Sequence, residues 1–573
     1  IQTVSNNLHE TLSIVNTTYD FVGNVLKQKE THGNDILETV NTYDDRSRLL
    51  TTTSTLNGGT AAIVTYEYDA LGRLTTKKYG DKVTEQMAYN IRGWLTSKES
   101  EPFKMKLHYE SPVAGATACY NGNISEWSWK QGTNVEQLYG FTYDPVSRLK
   151  ETNQYRHEGT TWSVSPNDYV EKSITYDRNG NILTLQRTGN GMLVDNLSYT
   201  YTGNQLTALQ ESVRTSLPED IYQPGATPNG TYEYDANGNM KKDSRKSLTF
   251  NYNALNLLSV VKENNAVKAS YRYLADGTKT SVRNGNGNTG YDYEGSFVYT
   301  VTNNTPTLEA AHFTDGQLKA TGVNYILTDH LGSVRALVDA NGTLLEQNDY
   351  YPFGSKHVNT SYASSDNRYT FSGKESQDLL DLNTYDFGAR MYDGNLGLWK
   401  MRDALSECDY ASTPYNYCGE NPIRYIDPNG EMKVIYNPDG TYKETQSNNW
   451  FHNTFFGLKI YIDYGNGNLV QLSNEEFWLW QRTGKYDMIG TVEEGSAIFW
   501  ELYINEPAED WLDAGDKFIA SSLYSLVNSP EVLLTGRTLS GAYTTPDERM
   551  SCFIDVAVAC YGKVATSTFK MVN

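Results

Sequence analysis

The sequence predicts an all-β chain assembled from repeated hairpins, followed by a smaller C-terminal domain of different character. Three observations carry this reading. A Tyr-Asp phrase recurs at a nearly constant spacing, Gly or Asn follows it within a few residues, and alternating strand-like stretches flank it. With 44 Tyr and 46 Gly in 573 residues, 12% aromatic residues and a mean hydropathy of −0.59, order has to come from amphipathic aromatics and tight turns.

The phrase stands as TTYDFVGNVL from Thr17, NTYDDRSRLL from Asn41, YEYDALGRL from Tyr66 and MAYNIRGWL from Met87. It returns as FTYDPVSRL from Phe141, ITYDRNGNIL from Ile174, YTYTGNQL from Tyr199, YEYDANGNM from Tyr232 and FNYNALNLL from Phe250. Tyr19, Tyr43, Tyr68 and Tyr89 step by 24, 25 and 21 residues, one hairpin per step. Before each turn, alternate tyrosines such as Tyr66 and Tyr68, or Tyr232 and Tyr234, project from one face of a strand. Asp or Asn then opens the turn by accepting backbone amides further on, and Gly or Asn supplies the positive φ. After the turn, Leu74, Leu149, Ile182 and Leu206 return the chain to the buried face. Such a hairpin is not stable alone and has to pair edge to edge with its neighbours.

Charge and cysteine content exclude several classes. The net charge of −21, from 48 basic and 69 acidic residues, argues against a nucleic-acid surface, which needs clustered Lys and Arg. Five Cys without regular spacing give no disulfide framework. No run approaches the roughly 20 apolar residues of a membrane-spanning helix. The opening at Ile1, inside repeat-like sequence, reads as part of a longer chain. No cofactor-binding or metal-ligating motif stands out.

These phrases resemble the YD repeats of the RHS/YD family, which includes bacterial polymorphic toxins, the C component of ABC toxin complexes and the teneurins. The resemblance implies a spiralling antiparallel sheet that forms a hollow shell with tyrosines stacked along its wall. About 300 repeat residues is short for a closed shell, so an open or partial cocoon is expected, with an unpaired edge near residues 1–16. The stretch 322–430 is similar to the family's RHS repeat-associated core. It reads NYILTDHLGSVRALVDANGTLLEQNDYYPFG from Asn324, RYTFSGKESQ from Arg368, YDFGARMYDGNLGLWKMRDALSE from Tyr385 and PYNYCGENPIRYIDPNG ending at Gly430. The expected organisation is a repeat shell over 1–321, a core that plugs one end over 322–430, and a variable domain over 431–573.

In many related shells the core is also an aspartyl autoprotease that cuts just after an Asp-Pro-x-Gly-Leu phrase. That chemistry needs two carboxylates sharing one proton. The resemblance carries over to Arg402 and Asp403, with Ala404 where Pro is usual, and to Asp427-Pro428-Asn429-Gly430, with Glu431 in place of Leu. Asp409 and Asp427 are both available as the second carboxylate. At most, the chain is an enzyme in this self-cleaving sense.

Beyond Gly430 the Tyr-Asp hairpins stop. MKVIYNPDGTYKET reads as one more hairpin, around Asp439-Gly440, and PAEDWLDAGDKFIASSLYSLVNSPEVLL has helical apolar spacing, so the domain is α+β or mainly helical. Thr535-Gly536 and Glu548-Arg549 faintly resemble a pre-toxin linker, which would place a toxin beyond Asn573. His452 is the sole His after residue 430 and reads as a packed or surface side chain. The leading functional reading is a secreted container that encapsulates its own C-terminal polypeptide and hands it to a delivery machinery. The alternative is a teneurin-like cell-surface scaffold that binds glycans or proteins through Tyr and Trp.

Overall fold

The computed structural model describes residues 2–6, 12–165, 168–213, 229–357, 360–364, 366–377, 380, 382–406 and 412–431, with short strands at Val434–Tyr436, Tyr442–Thr445, Ile460–Asp463 and Leu469–Leu472. The chain divides into two compact units, Ile1–Ser447 and Asn448–Asn573. The hairpin expected around Asp439-Gly440 forms from Val434–Tyr436 and Tyr442–Thr445. The helical segment expected after Pro507, His452 and the linker-like residues all lie outside the described residues.

In the first unit the strands pair in chain order, each antiparallel to the one before. They make a 14-stranded sheet from Gln2–Asn6 to Thr161–Val164 and an 18-stranded sheet from Glu171–Tyr176 to Tyr362–Ala363. The two join through Thr152, whose Oγ1 donates to the Glu171 carbonyl at 2.6 Å and accepts its amide at 2.9 Å. Among the described residues Gln2–Asn6 pairs with Leu12–Tyr19 alone and is the edge strand of the first sheet. Among the described residues the helical pieces are short 3-10 turns, and no helix is long and apolar enough to cross a membrane.

The Tyr-Asp phrase explains the turns. Asp69 Oδ1 accepts the amides of Leu71 and Arg73, both at 2.9 Å, and Gly72 takes the left-handed conformation at φ +85°. Asn90 does the same for Arg92 and Trp94. The pairing register slips by one residue at the phrase's tyrosine, as at Glu67/Tyr68, Ala88/Tyr89 and Thr142/Tyr143. This bulge increases the local twist and re-aims the ring. Tyr68 then donates to the carbonyl of Leu49 at 2.9 Å, Tyr89 to Leu74 at 2.8 Å and Tyr143 to Ile124 at 2.8 Å, each in the neighbouring repeat. Arg73 adds a second link. Its Nε binds Asp69 at 2.7 Å while its guanidinium lies 4.9 Å from the Tyr89 ring. Leu74, Leu149, Ile182 and Leu206 are buried as expected, each stabilising the fold by about 2 kcal/mol.

Polar contacts between residues distant in sequence bring the two sheets against each other in matching order. Ser13 donates to Glu294 at 2.6 Å, Tyr299 to Asp35 at 3.0 Å, Lys98 to the Thr328 carbonyl at 2.7 Å and Gln131 to the Asn348 carbonyl at 2.8 Å. The second sheet runs past residue 321: Gly322–Thr328 keeps the alternation of a half-buried strand, and Val334–Asp339, buried along most of its length, and Leu344–Gln347 follow as further members.

From Asn348 the chain becomes irregular and lines the buried face of that sheet. Phe353 N–H binds Glu171 at 2.9 Å, Tyr351 donates to the Thr188 carbonyl at 2.7 Å, and Met240 N–H donates to the Lys400 carbonyl at 2.9 Å. Lys279 bridges Glu375 and Asp386 at 2.7 and 2.5 Å. A separate aromatic cluster of Phe371, Phe387, Tyr392, Trp399 and Tyr417 holds this segment together. The first unit is an all-β shell.

Candidate functional site

The chemistry-bearing residues of the core segment converge where its last turn meets the strand Met391–Asp393. Asp427 opens that turn, and its Oδ1 accepts the amides of Asn429 at 3.3 Å, Gly430 at 2.7 Å and Glu431 at 3.0 Å. Gly430 sits at φ +81°, and a Cβ there would lie 3.0 Å from the Arg390 nitrogen, so backbone freedom and close approach both require glycine. Lys374 donates to the Pro428 carbonyl from the other side.

Arg390 precedes that strand, and its guanidinium lies 4.2 Å from the centre of the Trp399 ring. Its Nη2 contacts Asp427 Oδ2 at 3.1 Å and Asp403 Oδ2 at 2.9 Å. Its Nε donates to the Gly430 carbonyl, and Nη1 to the Pro414 carbonyl at 3.3 Å. The Asp403 amide also donates to Pro414 O, at 3.1 Å, and Asp403 Oδ1 accepts Leu405 N–H at 2.7 Å. The structure thus brings Asp403 and Asp427 onto one nitrogen.

Burial pushes the Asp403 carboxyl up to about 6. Arg390 and the Leu405 amide pull it down, while the charges of Asp427 and Glu431 push it further up. Glu431 is buried, and its carboxylate accepts Asn429 Nδ2 at 2.7 Å. Asp403 therefore holds its proton to higher pH than an ordinary carboxyl, beside a carboxylate that three backbone amides and an arginine stabilise. Such a pair can act as acid and base together.

Arg402 is elsewhere. It is exposed and donates to Ser406 Oγ at 3.1 Å, whereas Arg390 serves the pair. The turn at Ala404 directs Arg402 outward even though it is Asp403's chain neighbour. Arg390 was missed because its partners are 13 and 37 residues away in sequence. Its one signal is a lone arginine in the aromatic-rich stretch YDFGARMYDG. Asp409 lies outside the described residues. Among the described residues no three His, Cys, Asp or Glu side chains converge as a metal site would.

Residues 119–423 match the Teneurin YD-shell family, and 43–84 match the RHS Repeat. The first match covers more than half of the chain. The chain belongs to the YD-shell family. Among curated relatives, this YD-shell chain is 23% identical over 472 residues to toxin subunit YenC1 of Yersinia entomophaga, covering 72% of this chain and 47% of that protein. It is 32% identical over 162 residues to salivary gland surface protein 1 of Aedes aegypti, covering 27% of this chain and 5% of that one. The chain therefore spans less than half the length of either relative. Among solved structures it resembles the Photorhabdus luminescens Tc holotoxin pore, with a TM-score of 0.58, 19% identity and coverage of 76% of this chain and 22% of that chain. The TcdB2-TccC3 structure follows at a TM-score of 0.51 and 17% identity, covering 73% and 24%. At these identities the likeness establishes the fold, an all-β RHS/YD shell.

Proposed function

We propose that this chain is the wall and plug of a secreted toxin-type container, which encloses a C-terminal polypeptide and frees it by cutting itself beside Gly430. The observation that carries this reading is the Asp403–Asp427 pair on one Arg390 nitrogen, next to the residues that precede the expected cut. In the reaction Asp427 accepts a proton from water, and the water oxygen attacks the carbonyl carbon of Glu431. Asp403 gives its proton to the nitrogen of Met432 as that C–N bond breaks, leaving a new carboxyl group and a new amine. The toxin-subunit relative supports the container role. The cargo would be the polypeptide after residue 431, and the partner a secretion or delivery machinery.

Mass spectrometry of the intact chain, incubated between pH 4 and 8, tests the cut. A fragment beginning at Met432 is expected from the native sequence and from neither Asp403→Asn nor Asp427→Asn. An uncut native chain across that range refutes self-cleavage.

A second reading, a surface scaffold that binds glycans or proteins, draws on apolar side chains at the turn tips, where Phe21 is 86% and Leu71 79% exposed. It predicts that residues 432–573 are nicked by added protease as readily as the turn tips, whereas an enclosed polypeptide survives.

A further inference from the structure

We infer that Lys279 and Asp386 condense into a side-chain amide, a covalent tie between a wall strand of the second sheet and the core segment. The inference stands apart from self-cleavage and turns on a lysine to which no motif pointed.

Lys279 opens the strand Lys279–Asn284 of the 18-stranded sheet, whereas Glu375–Ser376 and Tyr385–Asp386 are neighbours in a separate four-stranded sheet. Glu375 and Asp386 stand directly opposite each other in that pairing. The Lys279 amine lies between their carboxylates, 2.7 Å from Glu375 Oε2 and 2.5 Å from Asp386 Oδ2. Both acids are buried, and Lys279 Nζ is 4.4 Å from the centre of the Tyr293 ring.

The two carboxylates differ in what else holds them. Glu375 Oε1 accepts the Tyr293 hydroxyl at 2.6 Å and Arg368 Nε at 3.1 Å. Burial raises the Glu375 carboxyl, but Lys279 and Arg368 outweigh it and hold the group below its ordinary range, so Glu375 is a carboxylate that can take a proton. Asp386 Oδ1 accepts the Gly388 amide at 2.8 Å, a donor placed for the oxyanion that forms when Cγ is attacked. Burial works against the Lys279 charge and the two acids outweigh that as well, so the ammonium is the resting form and the reaction begins with loss of a proton.

Nζ gives that proton to Glu375, which passes it to Asp386 Oδ2. The free amine then attacks Cγ, and negative charge gathers on Oδ1. A second proton leaves Nζ by the same route, the Cγ–Oδ2 bond breaks, and Oδ2 departs as water. The amide keeps one Nζ–H, the charges of amine and carboxylate cancel, and no oxidant or co-reactant enters. Contact among the three groups supplies the proximity that such a step needs. A neutral amide also replaces a buried ion pair, whose desolvation is costly.

Mass spectrometry of the full chain, intact under denaturing conditions and after trypsin, tests the inference. The native chain is expected to be lighter than its sequence by one water, with Lys279 and Asp386 together in one branched peptide and no tryptic cut after Lys279. Lys279→Met should have its full sequence mass. Should that variant not fold, Asp386→Asn serves in its place: it releases ammonia instead of water and gives a product of the native mass. In folded Glu375→Gln the link should form at least tenfold more slowly, since the proton carrier is gone. A folded native chain of full sequence mass, or Lys279 and Asp386 on separate peptides, overturns the inference. Both residues precede Gly430, so the missing water stays with the N-terminal fragment if the chain cuts itself. An uncut chain therefore bears on the self-cleavage reading alone.

Discussion

The hydroxyl of Tyr66 donates to Oδ2 of Asp315, a residue 249 positions further along the chain. Lys77 reaches the other oxygen of the same carboxylate, and the group is almost fully buried. Burial, followed by the charge of Asp315, holds the Tyr66 phenol above its ordinary value, so it remains a donor. The wall is pinned here by one carboxylate with two partners, and removing different members should have unequal effects. Asp315→Asn leaves the Lys77 ammonium buried without its counter-charge and is expected to cost about 3 kcal/mol. Tyr66→Phe leaves the ion pair intact and should cost about 1 kcal/mol. Urea unfolding of the two variants checks this, and equal losses would contradict it.

A second expectation concerns the rim of turns. The Asp69 carboxylate accepts the Arg73 and Leu71 amides and the Arg73 guanidinium, and these contacts hold it below the usual range, opposed by its desolvation. Asp44 is held down by the corresponding amides of Arg46 and Arg48. A depressed carboxyl supports the fold above its unfolded value, and that support disappears as pH falls through the folded one. Asp69→Asn should be mild, since Asn90 closes an equivalent turn, whereas Asp69→Ala should free both amides. Hydrogen exchange at Leu71 and Arg73 is the readout, with faster exchange in the alanine variant and near-native protection in the asparagine one.

The repeat was legible because its determinants are local. Asp69, Gly72 and Leu74 sit within one turn, and each residue type announces its backbone requirement. The bulge at Tyr68 was not legible, since a strand written in strict alternation carries no mark of one unpaired residue. The seam at Tyr66 and Asp315 was hidden for another reason: the contact is made by tertiary closure and leaves no trace in either neighbourhood. At the candidate site, Asp403 and Asp427 could be named from motif phrases. Their arginine could not, because adjacency favoured Arg402 and only the folded chain brings Arg390 between them.

The raised carboxyl of Asp403 has a thermodynamic consequence independent of any reaction. With a folded value of about 6 against an ordinary 3.8, the native state keeps a proton that the unfolded chain has already lost. The contribution to stability is full below about pH 4, declines as pH rises through 6, and is constant above that. Asp403→Asn has no proton to lose. The stability of this variant relative to the native chain should improve by up to about 3 kcal/mol between pH 4 and 7. Urea unfolding at the two pH values checks this, and a difference that does not change with pH would rule it out.

Glu431 offers the final test, because it separates the charge of the site from its geometry. Its buried carboxylate stands where the family phrase has an apolar residue, and its negative charge helps to raise the Asp403 carboxyl. Glu431→Gln keeps a group of the same size that can still accept from Asn429 Nδ2, now 2.7 Å from the carboxylate, and it removes one negative charge. Asp403 should then release its proton at lower pH, so the pH-dependent decline in stability moves to the acid side. If the acid pair cuts the chain with Asp403 as the proton donor, the alkaline limb of the cleavage profile moves the same way and by a similar amount. Glu431→Leu removes the same charge but adds to the desolvation that raises Asp403, so both should move to the acid side by less than in Glu431→Gln. Stability and cleavage measured on the same two variants across pH 4 to 8 decide the matter. A cleavage limb that stays fixed while the stability curve moves would take Asp403 out of the proton transfer.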